Sequence, residues 1–323
     1  MTGGYRFEEF PWEAREPDAR RERLRATAPG DKVRLDCRLE GASFLSPDTP
    51  PRDELVVMAY NVERGLALDD LIACLRAPGD TPAPDVILVS EADRGCSRTG
   101  YRNVMRTMAE ALGMCYVYGV EFIELPRCWG KGKRIDAPCE HGNGILSRYP
   151  LGNARLVRHR RNRNWHSLVQ RLLRVGEPRV GGRMALAADV RVGERYLHLY
   201  SVHFESGRTN DRYRDDQALE LVEDASLRPH GVIIGGDMNT SEYLGDLRNG
   251  TANDGATRVL RESGYADAHA ALTAGERITT PSGVVIDLLF GKGVEFTGAG
   301  VGAPVEWAGL SDHYPVWARA RLV

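Results

Sequence analysis

The sequence predicts an α/β fold, and three observations carry that prediction. From Glu54 onward, short apolar runs suited to buried strands alternate with helix-like segments. Most of those runs deliver a polar residue at their end. The chain, 323 residues with 42% hydrophobic, is also long enough to bury a large core as one α/β domain.

Residues 1–53 read as an N-terminal extension and linker, and 54–323 as the main domain. Within the extension, Pro17 to Ala28 is a charged helical stretch, and Val33, Leu35, Cys37 and Leu39 alternate with polar residues as in a short strand. Ser46 to Pro51, with three prolines, is a linker. Leu55 to Tyr60 is the first strand of the domain and ends in Asn61; Leu66 to Leu75 suits the helix after it. Val86 to Val89 ends in Ser90 and Glu91 and precedes a helix over Tyr101 to Leu112. Tyr196 to Val202 ends in His203 and precedes a helix over Asp211 to Leu221. Val232 to Gly236 delivers Asp237 and Asn239, Val284 to Ile286 runs into Asp287, and Asp312-His313 opens the last apolar stretch. In sheet enzymes such strand-end residues converge on one rim, so these are the candidate site.

Composition sets limits. No apolar run approaches the roughly 20 residues that span a bilayer. The start, Met1 to Glu9, lacks the basic-then-apolar pattern of a secretory signal, so a cytoplasmic location is expected. The six cysteines, Cys37, Cys74, Cys96, Cys115, Cys128 and Cys139, have no zinc-site spacing and are expected to be reduced. Cys128 and Cys139 form the candidate disulfide of an exported protein. A net charge of −2 argues against a general nucleic-acid coat but leaves room for a local basic groove.

The ordered set Asn61-Val62-Glu63, Ser90-Glu91, Gly142-Asn143-Gly144-Ile145-Leu146-Ser147-Arg148-Tyr149-Pro150-Leu151, Val202-His203, Gly236-Asp237-Met238-Asn239, Ile286-Asp287 and Ser311-Asp312-His313-Tyr314-Pro315-Val316 resembles the endonuclease/exonuclease/phosphatase family. The resemblance runs from about residue 54 to the C-terminus. It implies a four-layer α/β/β/α sandwich of two mixed sheets flanked by helices, with the site at one edge. It also implies hydrolysis of a phosphoester by in-line attack of water, with Mg2+ or Mn2+ as cofactor. On that reading Glu91 is the leading metal ligand, a hard oxygen donor suited to those ions. Asn61 orients Glu91 or a metal-bound water, Glu63 matches a second acidic position, and Asp312 is a further candidate ligand. Asp237 positions and deprotonates the attacking water, and Asn239 donates to the phosphoryl oxygen. His313 contacts the phosphate or supplies a proton, with Asp287 fixing its tautomer and favouring its protonated form. His203 matches the second imidazole of the deoxyribonuclease-like and sphingomyelinase-like branches, and Asn143 an asparagine near the scissile phosphate. Ser90 and Val202 depart from the glutamine and threonine that many members carry there.

Two stretches, Glu121 to Glu140 and Arg155 to Arg183, look like inserts. The second holds nine arginines against one acid, Glu177. Arg158, Arg161, Arg163 and Arg183 are candidate substrate contacts, with Trp165 available to stack a base. Such a patch tracks a polynucleotide backbone or holds an anionic head group; a solvated basic loop is the plain alternative. Leu168, Val169, Leu172 and Leu173 suit a short amphipathic helix. Two histidines, a basic insert and a tryptophan together favour a phosphodiester of DNA or RNA as substrate. A small phosphorylated metabolite, nucleotide, phosphoinositide or sphingomyelin-like lipid is the alternative. A non-catalytic scaffold would be marked by loss of Glu91, Asp237, Asn239 or His313, and all four are present.

Overall fold

The computed structural model describes residues 5–12, 22–24, 26, 35, 38–46, 49–126, 134–165, 178–207, 211–240 and 255–322. In chain order the elements begin with β1 (Glu40–Ser43), β2 (Glu54–Arg64), α1 (Leu68–Arg76), β3 (Val86–Arg94), α2 (Val104–Leu112), β4 (Cys115–Glu124) and β5 (Cys139–Ser147). They continue with β6 (Leu151–Arg158), β7 (Arg179–Gly181), β8 (Met184–Val192), β9 (Arg195–His203), α3 (Asp211–Ala225), β10 (Gly231–Asp237) and α4 (Gly255–Glu262). The last are β11 (Ala266–Asp267), β12 (Asp287–Lys292), β13 (Val294–Val301) and β14 (Val316–Leu322), with a short helix, Pro304–Trp307, before β14.

The strands form two mixed sheets. One has eight strands in the order β1-β4-β5-β3-β2-β14-β13 with β7 also on β4; the other has six, β11-β12-β10-β9-β8-β6. The strands of the first sheet's middle read as continuous apolar runs because both faces are covered. Leu55, Val57, Val86, Leu88 and Ile145 face Leu186, Leu197, Leu199, Ile233 and Leu289 of the second sheet. Their neighbours Met58, Tyr60, Ile87 and Val89 turn outward onto α1 and α2, while Tyr200, Ile234 and Phe290 pack against α3 and α4. The result is the expected helix, sheet, sheet, helix sandwich.

Two parallel pairs, β2 with β3 and β9 with β10, bring four C-terminal strand ends to one rim. Three adjacent ladders slip register there, between Asn61 and Arg64 in β2, Val89 and Ala92 in β3, and Val120 and Phe122 in β4. A bulge re-aims the side chain it carries, so Glu63, Glu91 and Glu121 leave the regular alternation at this level. Just behind the rim, Ser90 Oγ donates to the Val202 carbonyl and Ser201 Oγ to the Val89 carbonyl, each at 3.0 Å. These reciprocal bonds tie the sheets together and give Ser90 a structural use.

Several expectations change. β1 pairs with β4, so part of the 1–53 extension completes the first sheet. Residues 5–12 run beside β6, where Phe10 N donates to the Leu151 carbonyl at 2.9 Å and Phe10 and Trp12 pack on the central core. Most of the Pro17–Ala28 stretch and the Val33–Leu39 strand, and all of the amphipathic 168–173 segment, lie outside the described residues. The apparent inserts contribute framework at their ends, through β4, β5, β6 and β7. The reduced-thiol expectation is corrected by a Cys96–Cys139 disulfide. β3 and β5 are neighbours, and the chain leaving one beside the start of the other brings the two sulfurs together. Cys139 therefore pairs with Cys96 and not with Cys128. Cys74 and Cys115 are free, and Cys37 and Cys128 lie outside the described residues. Among the described residues no helix is long and apolar enough to cross a membrane.

Candidate active site

Asp237 stands at the centre of the rim. Register alone places it there, with β10 setting it beside His203 on parallel β9 and beside Asp287 on antiparallel β12. Its Oδ2 accepts from Asn61 Nδ2 at 3.0 Å and lies 3.3 Å from His203 Nε2 and 3.8 Å from His313 Nε2. Its Oδ1 accepts the Asn239 amide at 2.9 Å. Burial would raise the Asp237 pKa, but His203 and His313, with the Asn61 bond, hold it down to about 2. The site thus holds a carboxylate ionised at every ordinary pH, ringed by donors.

His313 Nδ1 and Asp287 Oδ2 are 2.8 Å apart, which leaves Nε2 toward Asp237. Burial works against a charged ring here. The neighbouring Asp287 outweighs it, helped by Asp237 and Asp312, and raises the His313 pKa well above the ordinary histidine value. His313 is therefore an imidazolium at neutral pH. His203 is raised in the same direction, since Glu121 and Asp237 outweigh burial and the nearby Arg183. Ser311 locks the loop that carries His313, donating to the Asn61 carbonyl at 2.7 Å and accepting the His313 amide at 3.1 Å.

Ligating atoms of Asp237, Asp287 and His313 lie within 4.8 Å of one another, close enough to surround an ion. A protonated His313 already bonded to Asp287 is a poor ligand, however, and the trio reads better as a proton-holding relay. Glu91 is the more suitable oxygen donor. Its side chain is 16% exposed, with Oε2 3.1 Å from Arg64 Nη1 and Oε1 3.9 Å from His203 Nε2. Burial would raise its pKa, but Arg64, then His141, His203 and Arg183, keep it well below the usual carboxylate range. A fully ionised carboxylate at the water's edge fits a hard divalent cation such as Mg2+ or Mn2+. Four non-glycine residues at this rim have left-handed backbones: Glu63 (φ 45°), Arg64 (φ 68°), Glu91 (φ 58°) and Asn239 (φ 48°). Such strain gathers where the fold fixes a side chain against local preference.

A sequence profile described as the endonuclease/exonuclease/phosphatase family matches residues 58–313. The chain belongs to that family. No curated protein matches it in sequence. Among solved structures it is similar to an endonuclease/exonuclease/phosphatase from Beutenbergia cavernae, at 16% identity and a TM-score of 0.55, covering 84% of this chain and 72% of the other. The human Nocturnin catalytic domain with bound sulfate anion superposes at 14% identity and a TM-score of 0.56, covering 90% of this chain and all of that one (100%). TDP2 of D. rerio complexed with a single-strand DNA product does so at 16% identity and a TM-score of 0.52, covering 83% and 99%. These likenesses show the fold, and the family's hydrolytic phosphoesterases show the class of enzyme.

Within this family member the expected residues divide into two groups. Asn61, Glu91, His203, Asp237, Asp287 and His313 come together. Asn239 sits beside them, its Nδ2 donating to the Phe204 carbonyl at 3.0 Å. Glu63 follows Asn61 in the same turn, its amide donating to Asn61 Oδ1 at 3.1 Å, and Asp312 lies 59% exposed with an oxygen 4.0 Å from His313 Nε2. Asn143 is buried between the sheets, donating from Nδ2 to the Met184 carbonyl at 3.2 Å. Among the described residues, the candidates from the second insert do not join the site as free contacts. Arg183 is buried and bonded to Glu121 Oε1 at 3.0 Å, behind His203. Arg158 donates to the Val120 carbonyl at 2.6 Å, and Arg161 is paired with Asp216 at 2.8 Å. Trp165 is buried edge-on to Phe122, with the guanidinium groups of Arg179 and Arg163 over its ring at 3.9 and 4.6 Å, so no face is left for a base. α3 supplies the neutralising acids Asp216, Glu220 and Asp224, four residues apart on one stripe. That stripe is visible in the sequence and is the signal that Arg155 and Arg161 have acidic partners. Sequence reasoning also missed Glu121, which is buried 3.5 Å from His203 Nδ1, and Arg64 beside Glu91.

Proposed function

We propose that the chain is a Mg2+- or Mn2+-dependent phosphodiesterase in which Glu91 holds the metal and water attacks phosphorus in line. The observation that carries this reading is the set of distances around Asp237, with His203 Nε2 at 3.3 Å, His313 Nε2 at 3.8 Å and Asn61 Nδ2 at 3.0 Å. A bound divalent ion would supply Lewis acidity to the phosphoryl oxygens and lower the pKa of water. The rest is done by side chains. Asp237, anchored by Asn61 and the Asn239 amide, orients the attacking water and accepts its proton. The His313 imidazolium, and His203, whose charged form Glu121 and Asp237 favour, donate to the phosphoryl and leaving oxygens as charge grows there. Asp287 keeps the His313 Nδ1 proton in place, so that Nε2–H is the proton delivered.

For the substrate, the two imidazoles suit a phosphodiester, and the single-strand DNA product in the D. rerio TDP2 structure supports a nucleic-acid strand. A small phosphodiester, such as a nucleotide or lipid head group, is the second reading. It is favoured by Arg158 and Trp165, which are occupied within the fold. Hydrolysis assayed with and without EDTA on single- and double-stranded DNA, RNA, nucleotides, inositol phosphates and sphingomyelin separates the two. In Asp237→Asn, turnover of whichever substrate is cut should fall by about 10²–10⁴-fold. Equal turnover in the variant would remove Asp237 from the reaction.

A further inference from the structure

Arg64 has no part in the reading above, yet it occupies a commanding position. Its guanidinium is buried, with Nη1 3.1 Å from Glu91 Oε2, while Glu91 Oε1 faces His203 Nε2 at 3.9 Å. Both oxygens of the carboxylate assigned to the metal therefore already look at cations. The backbone beneath Arg64 is held firmly. Glu63, Arg64 and Gly65 have successive φ values of 45°, 68° and 80°, and Gly65 N donates to the Val62 carbonyl at 2.8 Å. A Cβ at Gly65 would lie 2.6 Å from Val104, so α2 packs directly against this turn. The base of the arginine is fixed at the rim, and a side chain with four rotatable bonds reaches from it.

We propose that Arg64 is an exchangeable counter-ion that couples divalent-metal binding to phosphate binding. The inference rests on Glu91 being the metal ligand. A dication on Glu91 and a guanidinium on the same carboxylate repel each other strongly where water is scarce. Metal entry therefore frees the fork of Arg64 from Glu91. A phosphate in the site offers paired oxygens that match the fork, so the guanidinium exchanges carboxylate for phosphate. Each ligand removes a cost the other would meet, and by linkage each tightens the other. Before either arrives, Arg64 keeps Glu91 neutralised, which stabilises the empty rim and weakens the metal when no phosphate is present.

The test is a titration of Mn2+ into the full chain, followed by the electron paramagnetic resonance signal of free Mn2+, with and without inorganic phosphate. Wild type, Arg64→Gln, Arg64→Lys and Glu91→Gln are compared, and thermal unfolding confirms that each is folded. Without phosphate, Arg64→Gln should bind Mn2+ about tenfold more tightly than wild type, a coupling of ordinary size between neighbouring sites. Phosphate should tighten Mn2+ on wild type by a larger factor than on Arg64→Gln. Arg64→Lys keeps the charge without the fork, so it should restore weak Mn2+ binding but only part of the phosphate effect. If Glu91→Gln weakens Mn2+ while both Arg64 variants match wild type with and without phosphate, the counter-ion role is overturned and the metal assignment stands. If Glu91→Gln binds Mn2+ as wild type does, the metal assignment itself fails and the inference falls with it.

Discussion

At the scale of single residues, the rim opposes two carboxylates and two imidazoles across a few ångströms. His313 owes its raised pKa to Asp287 overcoming burial, and Asp237 its lowered one to His203 and His313 overcoming the same penalty. The signs fix the pH behaviour. The proton on His313 is present below its raised value and lost as pH climbs through it. The stability that the raised His313 value contributes is complete below the ordinary histidine pKa and disappears over that same alkaline interval, whereas burial raises Asp287 to about 6, so the ion pair itself needs a pH above that. Asp237 loses its charge only near pH 2, so it leaves the neutral range flat. Asp287→Asn removes the main upward influence on His313 and should move the alkaline limb of kcat toward lower pH. A pH–rate profile whose alkaline limb stays in place in that variant would show that His313 is not the proton donor. Asp237, His203 and His313 were legible because each closes or opens an apolar run. Glu121 was not, since it lies inside β4 and only a bulge aims it at His203.

At the scale of elements, β10 shows how tightly the framework determines the site. Gly235 and Gly236 are squeezed between sheet partners, and a Cβ on Gly236, at φ 144°, would lie 2.0 Å from the Val202 carbonyl. Gly236→Ala should therefore destabilise the fold by about 2–3 kcal/mol, read as a lower midpoint in denaturant, while also displacing Asp237. A midpoint equal to wild type would mean that β9 and β10 can part without loss. The central strands could be read in the sequence because burial on two faces leaves a continuous apolar run. The first three helices were legible to within a few residues for the same reason of pattern, with Asn103 accepting from the Arg106 amide at the start of α2 and Gly113 at φ 63° closing it, whereas α4 and the short Pro304–Trp307 helix were not singled out. Sheet membership was not legible. Nothing local in Glu40–Ser43 says that it will pair with β4, because that contact is set by the edge left open there. The arginines of the second insert illustrate the same limit, since their charge means little until α3 is laid alongside.

At the scale of the whole molecule, the family's order of motifs made the sandwich legible where propensity alone would have given only alternating elements. The disulfide escaped, because cysteine spacing cannot reveal which strands are neighbours. Cys96–Cys139 spans 43 residues and joins the chain just beyond Glu91 to the strand that carries Asn143. Closing a loop of that length should contribute about 4 kcal/mol. The Cys96→Ser, Cys139→Ser double variant should unfold at correspondingly lower denaturant, and an unchanged midpoint would show that the bond only decorates a ladder already secure.

The left-handed backbones at positions 63, 64, 91 and 239 have a consequence for laboratory evolution. Glycine would relax all four backbones, but at 64 and 91 it would also break the buried Arg64–Glu91 pair, so a library screened for heat resistance alone should enrich glycine at 63 and 239. Survivors of such a screen would be sturdier proteins with a looser rim, and the order in which those two positions changed would compare how much strain each one holds.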